Sequence, residues 1–208
     1  MNKIIDQLLL NWKKRNIEGA FFPDRVKARE KILELVPKNA SIGFSGSMTL
    51  DALGIIRILE DRGNRVFNPY QEGLSRGESL EIRRQGAAAD YFFASPNALS
   101  QAGELVFFSA YGNRIAGVSY AGNVILAAGK NKIAPNIEEA LKRARDISAP
   151  LNCKRLNWSS ACSKDGLCHK DACFAPEYKR MCCQSLVIEA EVALGRLKVF
   201  LINEDLGF

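Results

Sequence analysis

The chain has 208 residues, 47% hydrophobic and 25% charged, with a formal net charge of +6. That length allows one large domain with a core of its own and no need of disulfide staples. No apolar run reaches the ~18 residues that span a bilayer. Lys and Arg are interleaved with Asp and Glu and form no stripe with aromatics, which argues against nucleic acid and for a surface that attracts anionic ligands.

The first ten residues carry a short apolar patch, but Asn11, Trp12, Lys13, Lys14 and Arg15 follow it in place of a small-residue cleavage site. An amphipathic helix is expected there rather than an export signal, and with it a cytoplasmic location. Ile4, Ile5, Leu8, Leu9 and Trp12 recur at helical spacing and predict that helix over residues 2–16. Residues 19–22 predict a short strand. Pro23 and Asp24 open a second helix, to about Leu35, with Val26, Ile32, Leu33 and Val36 as its buried stripe. Residues 41–51 then read as an apolar strand, a turn of small residues and a helix start capped by Ser47 or Thr49. That helix continues through Leu59 with a kink near Gly54.

A strand is expected at residues 65–67, a loop at 68–73, a helix over 78–88 burying Leu80, Ile82 and Ala87, and a buried strand over 90–95 ended by Pro96. This alternation marks a mostly parallel sheet flanked by helices. Residues 104–108 and 114–118 flank a polar turn and read as an antiparallel hairpin or a short crossover. Residues 123–129 form the most hydrophobic strand, expected at the sheet centre. A helix from about Asn136 to Asp146 follows, ended by Pro150. The cysteine segment runs from Cys153 to Cys183, and strands over 185–192 and 196–202 close the chain. One domain over 1–208 is expected, comprising an N-terminal helical region (1–40), an α/β core (41–150), the cysteine-rich segment (151–184) and closing strands (185–208).

A strand feeding a glycine-containing turn and a helix N-terminus leaves backbone N–H groups facing outward at the positive end of a helix dipole. That suits a phosphate or carboxylate at Ser45, Gly46, Ser47, Met48 and Thr49. The alternative is that Gly43 and Gly46 only permit a tight turn. Ligands of open α/β sheets bind beyond the carboxyl ends of the strands. Two further polar segments, Gly112, Asn113, Arg114 and Gly129, Lys130, Asn131, Lys132, fall at such ends. Together the three segments offer backbone donors, a guanidinium, an ammonium and an amide to an anion. Taken singly, Asn113 and Asn131 are turn residues and the cations are solvated. Glu72, Asp51 and Asp90 are weak candidates for a catalytic carboxylate. One histidine in the chain leaves no Ser/His/Asp triad.

All six cysteines follow residue 150, at 153, 162, 168, 173, 182 and 183, and the single histidine, His169, lies among them. In a reducing compartment such a cluster points to zinc, an iron–sulfur cluster, free thiols or a redox disulfide. No Cys-x-x-Cys is present, so spacing leaves these readings open.

The motifs Ile42 to Leu50, Asn97-Ala98-Leu99-Ser100, Gly103-Glu104-Leu105, Gly112-Asn113-Arg114-Ile115-Ala116, Gly129-Lys130-Asn131-Lys132-Ile133 and the terminal Asn203-Glu204-Asp205-Leu206-Gly207-Phe208 occur in order. Together they resemble the LUD-domain family, the lactate-utilisation proteins. The resemblance implies a three-layer α/β/α fold with a mostly parallel sheet, of the NagB/RpiA/CoA-transferase-like group, with a cysteine-rich insertion before two C-terminal strands. In that group the loop matching residues 45–49 approaches a phosphate, a CoA or a carboxylate. It also implies an accessory or ligand-binding part in a multi-subunit, iron–sulfur-containing system that oxidises L-lactate or a similar hydroxy acid. The alternatives are a sugar-phosphate isomerase or CoA-transferase-like enzyme, and a non-catalytic zinc- or partner-binding subunit. Cys162, Cys168, Cys173 and Cys182 match a four-cysteine segment of short relatives, where an iron–sulfur cluster or zinc is expected. Three departures stand out: Ser45 replaces a glycine, Ser109 stands where an aspartate is common, and Cys173 and Cys182 lie further apart than usual.

Overall fold

The structure is a computed structural model that describes residues 2–208; Met1, the first residue of the expected domain, lies outside the described residues. Its chain order is α1 (Asn2–Lys14), β1 (Glu18–Phe22), α2 (Arg25–Leu35), β2 (Ser41–Phe44), α3 (Met48–Leu53), α4 (Ile55–Asp61), β3 (Arg65–Phe67), α5 (Arg76–Ala87), β4 (Tyr91–Ala94), β5 (Ala98–Ser100), β6 (Leu105–Ser109), α6 (Asn113–Tyr120), β7 (Asn123–Gly129), β8 (Ile133–Ala134), α7 (Ile137–Arg143), α8 (Ala149–Arg155), β9 (Gln184–Ile188) and β10 (Leu197–Ile202). Six strands form one parallel sheet in the order β1-β10-β7-β4-β2-β3, and four form a smaller mixed sheet, β8-β5-β6-β9.

β7 lies inside the large sheet, between β10 and β4. Its run is apolar throughout because both faces are covered. Val124, Leu126 and Ala128 join the core with α1, α6 and the small sheet, while Ile125 and Ala127 join that under α2, α3 and α4. A third core fills the space between the small sheet and α7–α8.

Local chemistry explains most boundaries. Asp24 caps α2 by accepting from the Lys27 N–H, and Ser75 with Glu78 forms a capping box on α5. Gly54, at φ +63°, divides the expected kinked helix into α3 and α4. Gly43 has a different task from the turn assigned to it. It lies within β2, where a Cβ would stand 1.8 Å from the Gly86 carbonyl oxygen, so the pair lets α5 lie directly on the sheet.

Several expectations are corrected. Residues 114–118 are helical, within α6, and do not pair with β6; Gly117 lets that helix cross close to the Phe92 ring of β4, and this tertiary fit overrides the β-branched residues. Pro150 does not end the preceding helix. A π-helical turn over Ala144–Ser148 widens the backbone ladder, and Pro150 sits in the first turn of α8, where its missing N–H costs nothing. Val26 is exposed, not buried, and Leu80, Ile82 and Ala87 are only partly buried. The two closing strands enter different sheets, β9 beside β6 and β10 between β1 and β7. Among the described residues no helix is long and apolar enough to cross a membrane.

Candidate functional site

The loops after β2, β3 and β4 emerge at one edge of the large sheet. Beside them stand the end of β6, the start of α6, and α8 with the residues after it. Together they line a cleft of about 940 Å³. Its lining includes Ser45, Gly46 and Ser47 from the expected loop, and Asn113 and Arg114.

The first two backbone donors of the loop are already taken. The Ser45 N–H donates to the Phe93 carbonyl at 3.0 Å and the Gly46 N–H to the Tyr70 hydroxyl at 2.8 Å. The Ser47 hydroxyl accepts from the Leu50 N–H as the N-cap of α3. Arg114 supplies the charge instead. Its guanidinium donates to Ser45 Oγ (3.2 Å), Asn97 Oδ1 (3.1 Å), the Phe108 carbonyl (3.1 Å) and the Gly46 carbonyl (2.7 Å), all neutral acceptors.

Met48, Thr49, Asn131 and Lys132 do not line the cleft. Lys132 is 4% exposed and lies behind the loop. Its ammonium donates to Thr49 Oγ1 (2.9 Å), Ser95 Oγ (2.7 Å) and the Pro96 carbonyl (3.2 Å). Asn131 holds the C-terminal tail, accepting from the Leu206 N–H and donating to the Gly207 carbonyl. Thr49 joins the same clasp by donating to the Leu206 carbonyl. Burial pushes the Lys132 ammonium well below the usual lysine range, and the Arg114 and Arg143 guanidiniums act in the same sense. Burial also lowers Arg114 and Arg143.

Four arginines, Arg57, Arg83, Arg114 and Arg155, face the cleft against two carboxylates, Asp51 and Glu60. Among the described residues none of the four forms an ion pair. Asp51 is raised above the ordinary carboxylate range by burial, with Arg155 opposing. Of the other expected carboxylates, Glu72 lies outside the lining and is exposed, and Asp90 accepts from the Ser41 N–H and hydroxyl near the opposite end of β2. Tyr70, Tyr111 and Trp158 also line the cleft, with the Arg83 guanidinium 5.4 Å from the Tyr70 ring and 5.6 Å from the Tyr111 ring. The sequence reading missed Arg57, Arg83, Arg155 and this aromatic group. They come from separate elements and share no motif, so no local signal marks them.

The cysteines do gather. Cys153, Cys162, Cys168, Cys173 and Cys182 line one small pocket with His169, Arg180 and Met181, and Cys182 and Met181 also line the large cleft. Three of the sulfurs contact protein groups: Cys153 with Met181 Sδ at 3.8 Å, Cys162 with Ser160 Oγ at 3.4 Å, and Cys182 with Arg180 Nε at 3.4 Å. His169 pairs with Asp165 at 2.8 Å. Among the described residues no three of His, Cys, Asp and Glu stand together as a ligand group. Burial, above all, pushes the Cys153 thiol up to about 12, and burial also raises Cys168. Five thiols thus share one pocket without a preformed ligand group among the described residues.

The structure is thus an α/β fold with an arginine-lined cleft at the carboxyl edge of a parallel sheet. The sequence profile of the LUD domain matches residues 5–202, and the chain belongs to that family. No curated protein matches it. Among solved structures it is similar to a DUF162 family protein from Deinococcus radiodurans, with 10% identity, 97% of each chain covered and a TM-score of 0.54. It is also similar over 54% of its length to ribose 5-phosphate isomerase A from Neisseria gonorrhoeae (15% identity, TM-score 0.36, 54% of that chain). The corresponding figures for ribose 5-phosphate isomerase from Plasmodium falciparum are 54% of this chain, 18% identity, TM-score 0.34 and 52% of that chain.

Proposed function

We propose that this LUD-domain protein is an anion-binding component, accessory to the oxidation of L-lactate or a similar hydroxy acid, and that its ligand's negative group sits against Arg114 in the cleft. The observation that carries this reading is the unpaired arginine set, with Lys132 and Arg143 behind it. A half-buried guanidinium whose acceptors are all neutral gains most from an incoming anion. On the shared wall, Cys182 offers one thiol and Met181 a thioether to that ligand. A cluster or zinc at Cys162, Cys168, Cys173 and Cys182 would require these thiols to regroup, and no step of the proposed function runs through one.

Calorimetric titration with inorganic phosphate and with L-lactate tests the proposal. Arg114→Met should weaken binding roughly 10- to 100-fold, as loss of a charge-assisted hydrogen bond does. A folded variant that binds as the parent does, or a parent that binds neither anion, refutes it. A second reading, a sugar-phosphate isomerase-like enzyme, is favoured by Asp51, a cleft carboxylate whose raised pKa suits proton transfer. Turnover of ribose 5-phosphate that disappears in Asp51→Asn would support that reading instead.

A further inference from the structure

The cleft is far larger than a hydroxy acid requires. At about 940 Å³ it falls in the range that encloses a ligand of drug size, whereas a three-carbon acid would leave most of it to water. Its charge also exceeds one negative group, with four arginines against two carboxylates.

The polar and apolar parts of the lining are segregated. Arg114, Ser45 and Asn97 form one hydrogen-bonded group. Tyr111 and Trp158 form another, their ring centroids 6.1 Å apart and their planes 85° to each other. In such an edge-to-face pair the partner covers only one ring face and Arg83 lies over Tyr111, which leaves a further ring face for a third flat group. Tyr111 is 49% exposed, an unusual degree for a ring already in two contacts. Trp158 is held from outside the cleft, its Nε1 donating to the Lys179 carbonyl at 2.7 Å.

We propose that the ligand is an organic phosphate bearing a flat aromatic base, a mononucleotide in type, with its phosphate at Arg114 and its base against Tyr111 and Trp158. This rests on the anion-binding reading above and names the ligand class for that site. A dianionic phosphate matches the excess of guanidiniums better than a monocarboxylate does. A purine ring gains stacking on an aromatic pair regardless of base identity.

Calorimetry with AMP, ribose 5-phosphate, inorganic phosphate and L-lactate on the full chain provides the test, with tryptophan fluorescence as a second readout. Of the two tryptophans, Trp12 is fully buried beneath α1, so quenching reports Trp158. AMP should bind roughly tenfold or more tighter than ribose 5-phosphate and quench the emission. Trp158→Ala should abolish that preference while ribose 5-phosphate binding persists, and Trp158→Phe, which keeps a ring, should retain it. Equal affinity for AMP and ribose 5-phosphate overturns the nucleotide inference and leaves the anion site standing. Binding of L-lactate in preference to every phosphate also overturns it. Binding of none of the four overturns both.

Discussion

Lys132 offers the most direct measurement of how this site is built. Lys132→Met removes a buried charge and keeps most of the side-chain length. The polar atoms it leaves retain partners, since Thr49 Oγ1 still donates to the Leu206 carbonyl and Ser95 Oγ still reaches Thr49 Oγ1 and the Pro96 carbonyl. In the parent protein, burial and the two neighbouring guanidiniums make the folded state release the Lys132 proton at lower pH than the unfolded chain does. An unfolded lysine titrates near about 10.4. Between those two pKa values the unfolded chain holds more protons, so stability rises with pH, by about 1.4 kcal/mol per pH unit for a fully displaced group. Below the folded value the burial cost is present in full and constant. The variant has no such slope. Urea denaturation of both proteins, from about pH 6 to about pH 10, gives a difference in which the cysteines, common to both, cancel. That difference should favour the parent increasingly as pH rises through the window. Parallel stability curves would show that Lys132 keeps an ordinary pKa and would refute the burial-driven lowering.

Gly43→Ala places a methyl group against the Gly86 carbonyl and should cost roughly 1–3 kcal/mol or more, read as a lowered Tm; an unchanged Tm would mean α5 does not lie as close as described. Asp51→Asn should tighten phosphate binding about fivefold above the raised Asp51 pKa, with variant and parent converging at lower pH, where Asp51 is protonated; calorimetry at two pH values checks this. Cys183 is exposed, whereas Cys153, Cys162 and Cys173 are buried, so a thiol reagent should modify Cys183 first and all six only on unfolding, and Cys183→Ser should remove the fast phase. Stoichiometric zinc or iron in anaerobically prepared protein would show that the thiols of this pocket regroup around a metal.

Much of the fold was legible because the core is regular. β7 could be placed at the sheet interior from its continuous apolar run, and α1 and α2 from helical spacing and the Pro23–Asp24 opening, since burial on two faces or one leaves a period in the chain. α6 was misread because Ile115 and Val118 favour strands, and only the passage of Gly117 across Phe92 makes helix the better solution. The short β5 and β8 escaped notice because strands of three and two residues carry no readable period.

The candidate site divides in the same way. The small-residue loop at Ser45 and the Gly112–Asn113–Arg114 turn carry local signatures, and the sequence by itself determined that both stand near strand ends. It also determined that the chain is an α/β domain of the LUD type with its thiols confined to one late segment. Packing alone set that the loop's first two N–H groups are already paired, that Lys132 turns inward to clasp Thr49 and Ser95, and that Arg57, Arg83 and Arg155 line one cleft with Arg114 from separate helices. Charge convergence depends on distances between elements far apart in the chain. Spacing along a sequence does not encode those distances; the packing of helices on a twisted sheet does.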